Sequence, residues 1–117
     1  MPDKPLMWLG SSRRDLRAFP VLARRLTGFQ LRRAQQGLEP DDWKSMPTVG
    51  PGVREIRIHI GGAHRVFYLA TRAEAIYVLH AFEKKTQKTA AGDLEIGRDR
   101  FRALGKLRQR HGKKERG

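Results

Sequence analysis

The residues from 55 to 69 carry the pattern that most constrains the fold of this chain. Three isoleucines alternate with three polar side chains, in the order Glu55, Ile56, Arg57, Ile58, His59 and Ile60. This two-residue period is typical of a β-strand that buries one face and leaves the other polar. Gly61 and Gly62 then offer the positive φ angles of a tight turn, and the mostly apolar residues 65–69 are suited to a returning strand. The sequence therefore predicts an antiparallel hairpin whose isoleucines face a core.

Two further apolar stretches predict strands that join this hairpin. Residues 6–9 are apolar and end at Gly10, and residues 76–79 are apolar on both faces, as expected of a well-covered strand. Between them, residues 38–52 are rich in proline and glycine, which predicts a loop.

Helical spacing predicts three helices. The first follows Ser11 or Ser12, the second begins at Pro20, and the third begins after Asp93 as its N-cap. The apolar stripe of the second helix is formed by Leu22, Leu26 and Phe29. The residues of the third helix that are expected to face the core are Leu94, Phe101, Leu104 and Leu107. Those of the third helix that are expected to face solvent are Arg98, Arg100 and Arg102.

The element order is therefore β-α-α-β-β-β-α. It predicts an α+β fold in which helices pack on one face of an antiparallel meander sheet. The other face, with the polar side chains of residues 55–59, is expected to be open. Residues 1–107 are predicted to form a single domain, and residues 108–117 a basic, flexible C-terminal tail.

The charge of the chain favours polyanionic partners. It has 25 Lys and Arg residues against 12 Asp and Glu residues, a formal net charge of +13. Nucleic acid, a ribosome, an anionic membrane or an acidic protein would each be attracted by the resulting field. A basic surface that serves only solubility is the plain alternative.

The composition also narrows the chemistry and the compartment. The chain has no cysteine, which excludes disulfides, thiolate metal sites and a cysteine nucleophile. No signal peptide and no apolar run of membrane-spanning length are found in it. A reducing cytoplasm is the expected location, and neither a metal nor a cofactor is expected.

Cationic side chains from distant parts of the sequence are predicted to gather on the polar face of the sheet. Arg57 and His59 point the same way from one strand, and the hairpin brings Arg65 beside them. Three lysines come shortly after the last strand: Lys84, Lys85 and Lys88. Fixed cations stabilise the phosphorane that forms when an RNA 2′-hydroxyl attacks phosphorus, and an imidazole or a lysine of lowered pKa can move the proton.

The same residues are also compatible with structural roles. Arg57 can pair with Glu55 on a solvated sheet face, and lysine-rich loops are commonly only hydrated. His80 follows the apolar Leu79 and is interpreted as a structural histidine.

Three segments resemble the phage-derived HigB-like branch of the RelE/ParE toxin superfamily. Their sequences are Val-Arg-Glu-Ile-Arg at 53–57, His-Arg-Val-Phe-Tyr at 64–68 and His-Ala-Phe-Glu-Lys-Lys-Thr-Gln-Lys-Thr at 80–89. The likeness extends over roughly residues 5–107. It implies a RelE-like fold and the toxin of a type II toxin–antitoxin module, with a helix-turn-helix antitoxin of the HigA type as partner. The implied activity is that of a metal-independent endoribonuclease, an mRNA interferase that acts on messenger RNA, commonly on the ribosome, and so inhibits translation.

The resemblance also implies roles for individual residues. Arg57 and Arg65 would bind the scissile phosphate, and Lys84 and Lys85 would stabilise the leaving oxygen, with His59 as a further catalytic candidate. Additional candidates for RNA binding are Lys88, Arg54, His64 and Arg98.

The chain departs from the family pattern at three places. Ala90 stands where the third segment usually ends in proline, His64 replaces an aromatic residue, and His111 is the one late candidate for a terminal acid or base. The identity of the general base therefore stays open. Two other functions stay open as well, a ParE-like inhibitor of DNA gyrase and a non-catalytic basic module that binds nucleic acid.

Overall fold

A five-stranded mixed sheet with three helices forms the domain. The computed structural model describes residues 2–116, and the side chains of residues 2–111. The elements are β1 (Leu6–Trp8), α1 (Ser12–Arg17), α2 (Val21–Gln35), β2 (Trp43–Ser45), β3 (Val53–His59), β4 (Ala63–Leu69), β5 (Ile76–Glu83) and α3 (Ala91–Arg116). The strand order is β1-β5-β4-β3-β2, with β1 parallel to β5 and all other neighbours antiparallel. The predicted α+β class is thus confirmed.

The predicted hairpin forms the centre of the sheet. Ile56 lies opposite Val66, and Arg57 lies opposite Arg65, in the register of β3 and β4. Gly61 and Gly62 connect the strands with φ angles of 61° and 109°. Two features were not predicted: the short strand β2, which lies inside the expected loop, and the parallel pairing of β1.

Helices cover both faces of the sheet, so the expectation that they pack on one face is wrong. On one face, α1 and α2 bury Leu16 and Leu31 against Ile56 and Val66. On the other face, α3 contributes Leu104 to a second core. The strands that this second core buries contribute Val53, Phe67, Leu69, Leu79 and Phe82. Apolar residues on both sides of β4 and β5 make this arrangement necessary, because each face must be removed from water.

Helix α2 packs with a different side toward the sheet from the one expected. Leu22 and Phe29 are 61% and 56% exposed, and Leu26 is also exposed. The buried residues of α2 are Ala23, Thr27, Gln30, Leu31 and Ala34. The two alanines permit a close approach to the sheet, and the polar pair is satisfied, since Thr27 donates to the carbonyl of Ala23 and Gln30 exchanges two hydrogen bonds with Asp41.

Helix α3 is held by arginines, one of which was expected to face solvent. The Arg100 guanidinium donates to the Leu79 carbonyl and to Ser11 Oγ, at 2.9 Å in each case. Arg108 donates to both carboxylate oxygens of Glu74, and this bond holds the pKa of Glu74 at about 2. Helix α3 continues to Arg116, and the expectation that Leu107 faces the core is wrong, because this residue is 40% exposed.

Close packing of α3 on the sheet depends on Gly97. A Cβ atom at this position would lie 2.9 Å from Phe67 Cδ2 and 3.0 Å from Val49 Cγ1. We expect Gly97→Ala to lower the free energy of unfolding by about 1–3 kcal/mol through overpacking. Gly105 of the same helix has open space around it, so Gly105→Ala should instead raise stability by roughly 0.5–1 kcal/mol. Urea unfolding of both variants measures the difference, and equal effects would contradict the packing of α3 on Phe67.

Candidate functional site

The register of the three central strands arranges the predicted site residues in rows. On the face that α3 partly covers, the rows are Glu55, Phe67 and His80; then Arg57, Arg65 and Phe82; then His59, Ala63 and Lys84. Lys84 joins the last row because its backbone N–H donates to the Ala63 carbonyl at 2.7 Å. The strands therefore bring Arg57, Arg65, His59 and Lys84 to one end of one face. The small side chain of Ala63 lies between the strands that carry His59 and Lys84.

A buried carboxylate holds two of these arginines together. Glu55 is 2% exposed, and its Oε1 lies 3.5 Å from Arg65 Nε and 3.7 Å from Arg57 Nε. The three side chains carry a net charge of +1, because one acid faces two bases. The Arg57 side chain is 35% exposed, whereas Arg65 is 4% exposed. Arg57 is thus the member of this cluster that meets solvent.

Arg65 is fixed beneath the surface. Its guanidinium donates to the His64 carbonyl at 3.0 Å, in addition to its ion pair with Glu55. Burial lowers the pKa of Arg65 from its ordinary value, the Glu55 charge opposes this shift, and the Arg57 charge adds to it. Arginine keeps its proton in proteins, so the buried cation acts as a fixed positive charge under Arg57.

His59 is paired with an acid that the sequence did not single out. Its Nε2 lies 3.2 Å from Asp42 Oδ2, and both side chains are solvent-accessible. Asp42 is brought there because its carbonyl accepts a hydrogen bond from the backbone N–H of Arg57. The sequence places Asp42 in a loop. Its proximity to His59 depends on strand β2, which starts at the next residue and pairs with β3.

The three lysines occupy the segment after β5. Lys84 is half-buried beside Ala63, and Lys85 and Lys88 are exposed. Thr86 Oγ1 donates to the Lys88 carbonyl at 2.6 Å, which tightens the turn that carries the two exposed lysines. The exposed ammonium groups of Lys85 and Lys88 therefore extend the positive surface beyond the row of His59.

The remaining candidates for RNA binding lie apart from this cluster. On the opposite face of the sheet, the Arg54 guanidinium lies 3.8 Å from the centroid of the Trp43 ring, and His64 is 1% exposed against Phe19. Arg98 of α3 donates to the Thr48 carbonyl at 2.8 Å. His111 lies on the exposed surface near the end of α3.

His80 is buried next to the cluster. Its Nε2 lies 2.8 Å from Asp93 Oδ1, and its ring stacks on Phe82 with a centroid distance of 4.8 Å. Burial lowers the pKa of His80, the Asp93 carboxylate opposes this shift, and Arg100 adds to it. The histidine joins β5 to the first turn of α3, in agreement with the structural role expected from the sequence.

This burial makes the stability of the fold sensitive to acid. In the unfolded chain, His80 takes up a proton near its ordinary pKa of 6.5. In the folded chain its pKa is lower, so protonation requires a lower pH. The free energy of unfolding should therefore fall as the pH drops below 6.5 toward the lower pKa of the folded state. We expect a shallower pH slope for His80→Gln in urea unfolding between pH 7.5 and 5. The exposed His111→Gln is the control, and equal slopes for the two variants would contradict this origin.

Two features are not found in the described part of the chain. Residues 2–116 contain no group of three or more metal-ligating side chains placed to hold an ion. None of the helices within that range has the length and apolar character needed to cross a membrane.

These observations define a small, basic α+β domain with a cationic cluster and a histidine–aspartate pair on one sheet face. Residues 14–102 match the family described as phage derived protein Gp49-like (DUF891). The chain therefore belongs to this family, which is associated with toxins of the RelE/HigB type. Membership is consistent with a toxin that has an antitoxin partner. No curated protein matches the chain.

Proposed function

We propose that this chain is the toxin of a type II toxin–antitoxin module and that it cleaves messenger RNA, on the ribosome in the cytoplasm, without a metal. The observation that supports this proposal most directly is the Glu55–Arg57–Arg65 cluster beside the His59–Asp42 pair on one sheet face. Family membership and the net charge of +13 support the same conclusion. An RNA phosphate is the anion that such a face attracts.

The reaction is a transfer within the RNA. His59, oriented by Asp42, takes the proton of the 2′-hydroxyl, and the oxygen forms a bond to phosphorus. The bond between phosphorus and the 5′-oxygen then breaks, and the leaving oxygen receives a proton from Lys84 or water. The products are a 2′,3′-cyclic phosphate and a 5′-hydroxyl, so no external reactant is consumed.

The arginines act on the charge that develops at phosphorus. Arg57 contacts the phosphorane oxygens, because its side chain reaches solvent from the cluster. Arg65 is a positioning residue that neutralises Glu55 and leaves Arg57 available for the RNA. Lys85 and Lys88 bind phosphates next to the cleaved one.

Substitutions should separate transition-state stabilisation from binding. We expect Arg57→Ala and His59→Ala to lower the rate of RNA cleavage on the order of 10²–10³-fold. Lys85→Ala should weaken RNA binding and reduce its salt slope by about 1, with a smaller effect on the rate of the bound complex. Single-turnover cleavage of a ribosome-bound message at several salt concentrations measures both quantities.

The exposed Arg102 of α3 supplies the control, and Arg102→Ala should cleave like the unchanged protein. Growth after induction gives an independent result: the unchanged protein should arrest growth, whereas Arg57→Ala should not. Intact transcripts together with altered DNA supercoiling would overturn the nuclease and favour a gyrase inhibitor.

The antitoxin partner is proposed to be a helix-turn-helix protein of the HigA type that docks on α2. Leu22, Leu26 and Phe29 form an exposed stripe on this helix, and the exposed Arg25 lies beside it. An amphipathic helix with apolar anchors and acidic flanks complements this surface. A second copy of the chain does not, because each copy carries a charge of +13.

Negative charge on the exposed stripe of α2 should weaken binding of the antitoxin and leave RNA cleavage unchanged. We expect the double variant Leu22→Glu, Phe29→Glu to bind the helix-turn-helix protein of the adjoining gene about 30-fold more weakly or worse. The control is Ile96→Glu, which changes a partly exposed residue of α3. Calorimetric titration measures the affinity. Unchanged binding, or an adjoining gene that encodes no such protein, would contradict the docking surface.

A further inference from the structure

The outer side of α1 carries three arginines. Ser12 and Leu16 are the buried residues of this helix, and at about 100° per residue the arginines at positions 13, 14 and 17 lie on the side away from them. All three are exposed, and they line a cleft of about 460 Å³, the α1 cleft. Its lining residues are Gly10, Ser11, Arg13, Arg14 and Arg17. Because three guanidinium groups surround it, the α1 cleft suits an anion.

The arginines of the α1 cleft are poorly neutralised. Other arginines of the described chain commonly lie close to a carboxylate, as do Arg32, Arg33, Arg54 and Arg108. In α1, by contrast, Arg14 Nε approaches Asp15 Oδ1 only to 4.0 Å. Among the residues whose side chains the structure describes, Arg13 and Arg17 form no ion pair. Their charges and hydrogen-bond donors are therefore available to a ligand from outside the chain.

A fourth arginine is fixed beneath the α1 cleft. Arg100 of α3 donates to Ser11 Oγ at 2.9 Å. Its guanidinium fills the space that a side chain at Gly10 would need, since a Cβ atom there would lie 2.6 Å from Arg100 Nε. Asp15, the acid that lies next to these arginines, already accepts a hydrogen bond from Ser11 Oγ at 2.6 Å. Four arginines therefore outnumber the neighbouring acid, and the field in the cleft is positive.

Helix α1 runs along the edge of β5 toward the three lysines that follow this strand. Its first residue, Ser12, donates to the Val78 carbonyl at 3.0 Å. Just beyond its end, the Phe19 ring lies 4.6 Å from the ring of His64, which is opposite Glu83 in the register of the sheet. From Val78 to Glu83 the strand rises by roughly 16 Å. Three lysines outnumber Glu83 at that end, so the α1 cleft and the lysines are two parts of one basic edge.

The lining of the α1 cleft favours an RNA backbone over an acidic protein. Arginine forks fit phosphate oxygens with two parallel hydrogen bonds. Protein interfaces instead depend on apolar and aromatic anchors, and the lining of glycine, serine and arginine offers no such anchor. Phosphates recur along an RNA strand, so a strand that leaves the proposed cleavage site past Lys84 reaches the α1 cleft within a few nucleotides.

We propose that the α1 cleft is a second phosphate-binding site, which holds the backbone of the same RNA strand a few nucleotides away from the cleaved phosphate. The inference rests on the proposed RNA-cleaving function and deepens it. Two contacts on one strand strengthen binding, because the second contact is intramolecular once the first has formed. The site is blind to base identity, since its arginines bind phosphates.

Binding of RNAs of two lengths tests this site separately from catalysis. The probes are a tetramer and a dodecamer of 2′-O-methyl uridine, which resist cleavage because the attacking hydroxyl is blocked. We expect the double variant Arg13→Gln, Arg17→Gln to bind the dodecamer about tenfold more weakly in fluorescence anisotropy, and the tetramer less than about threefold more weakly. The salt slope for the dodecamer should fall by roughly 1.4, since two phosphate contacts are lost. A dodecamer of adenosine should show the same loss.

The double variant Lys106→Gln, Arg110→Gln is the matched control. It removes the same charge from two exposed residues of α3 that are also four positions apart. We expect it to change the affinity for either probe by less than about twofold. Equal losses in the two double variants would overturn the proposal, because the effect would then be one of overall charge. Arg13 and Arg17 are exposed, so their replacement by glutamine should leave the midpoint of urea unfolding unchanged.

Further outcomes distinguish this site from the nuclease and from a protein interface. If the protein cleaves RNA but the α1 double variant binds the dodecamer like the unchanged chain, the second site is wrong and the proposed function stands. If no RNA is cleaved but the length-dependent loss is found, the nuclease is wrong and the RNA surface stands. Weaker binding of the helix-turn-helix protein with unchanged binding of RNA would overturn the site in favour of a protein partner.

Discussion

The ion cluster around the buried carboxylate of Glu55 is the interaction on which the cationic face depends. Two guanidinium groups on neighbouring strands repel one another, and one acid between them makes their proximity tolerable. The carboxylate and Arg65 are both almost fully buried, so the charge is fixed in place and weakly screened by salt. The outward-facing Arg57 thus rests on a rigid Glu55–Arg65 ion pair whose charges cancel, and the net charge of +1 of the cluster is directed to solvent. A charge fixed in this way is the preorganisation that the proposed RNA cleavage requires.

The fold supports this cluster from both sides of the sheet. Helices α1 and α2 cover one face, and α3 covers part of the other, so that the cluster lies at the edge of the second core. Arg100 ties α3 to the Leu79 carbonyl and to Ser11, and the contact between His80 of β5 and Asp93 ties the first turn of α3 to the sheet. These polar contacts hold α3 against β5 and against the residue that precedes α1.

The sequence revealed those parts of the structure that depend on local periodicity. The alternation from residue 55 to residue 60 specified the hairpin, and with it the shared face of Arg57, His59 and Arg65. The orientation of α2 was not predictable in the same way. The helix buries the side that carries the small Ala23 and Ala34, and it leaves the side with the larger Leu22 exposed. Which face of a helix is buried depends on the surface it meets, and that surface is not encoded in the helix itself.

The site was predictable only to the same extent. The pairing of His59 with Asp42 depends on a three-residue strand that pairs with β3 across a short connecting loop. Short strands of this kind have too few residues to show a period. Arg65 is buried because helices cover both faces of the sheet. This burial was not predicted, since one face was expected to be open. The roles of the site residues in RNA cleavage are predictions based on the chemistry of their side chains.

The parallel pairing of β1 with β5 has a consequence for how the molecule is made. Leu6 meets Ile76, a partner about 70 residues further along the chain. A nascent chain that leaves the ribosome from its first residue therefore carries β1 unpaired until β5 emerges. Strand pairings between residues so far apart in sequence form late and slowly during folding. The sheet that carries the cationic cluster is thus completed only after β5 has emerged, and this delay separates the synthesis of β1 from the appearance of the charged surface.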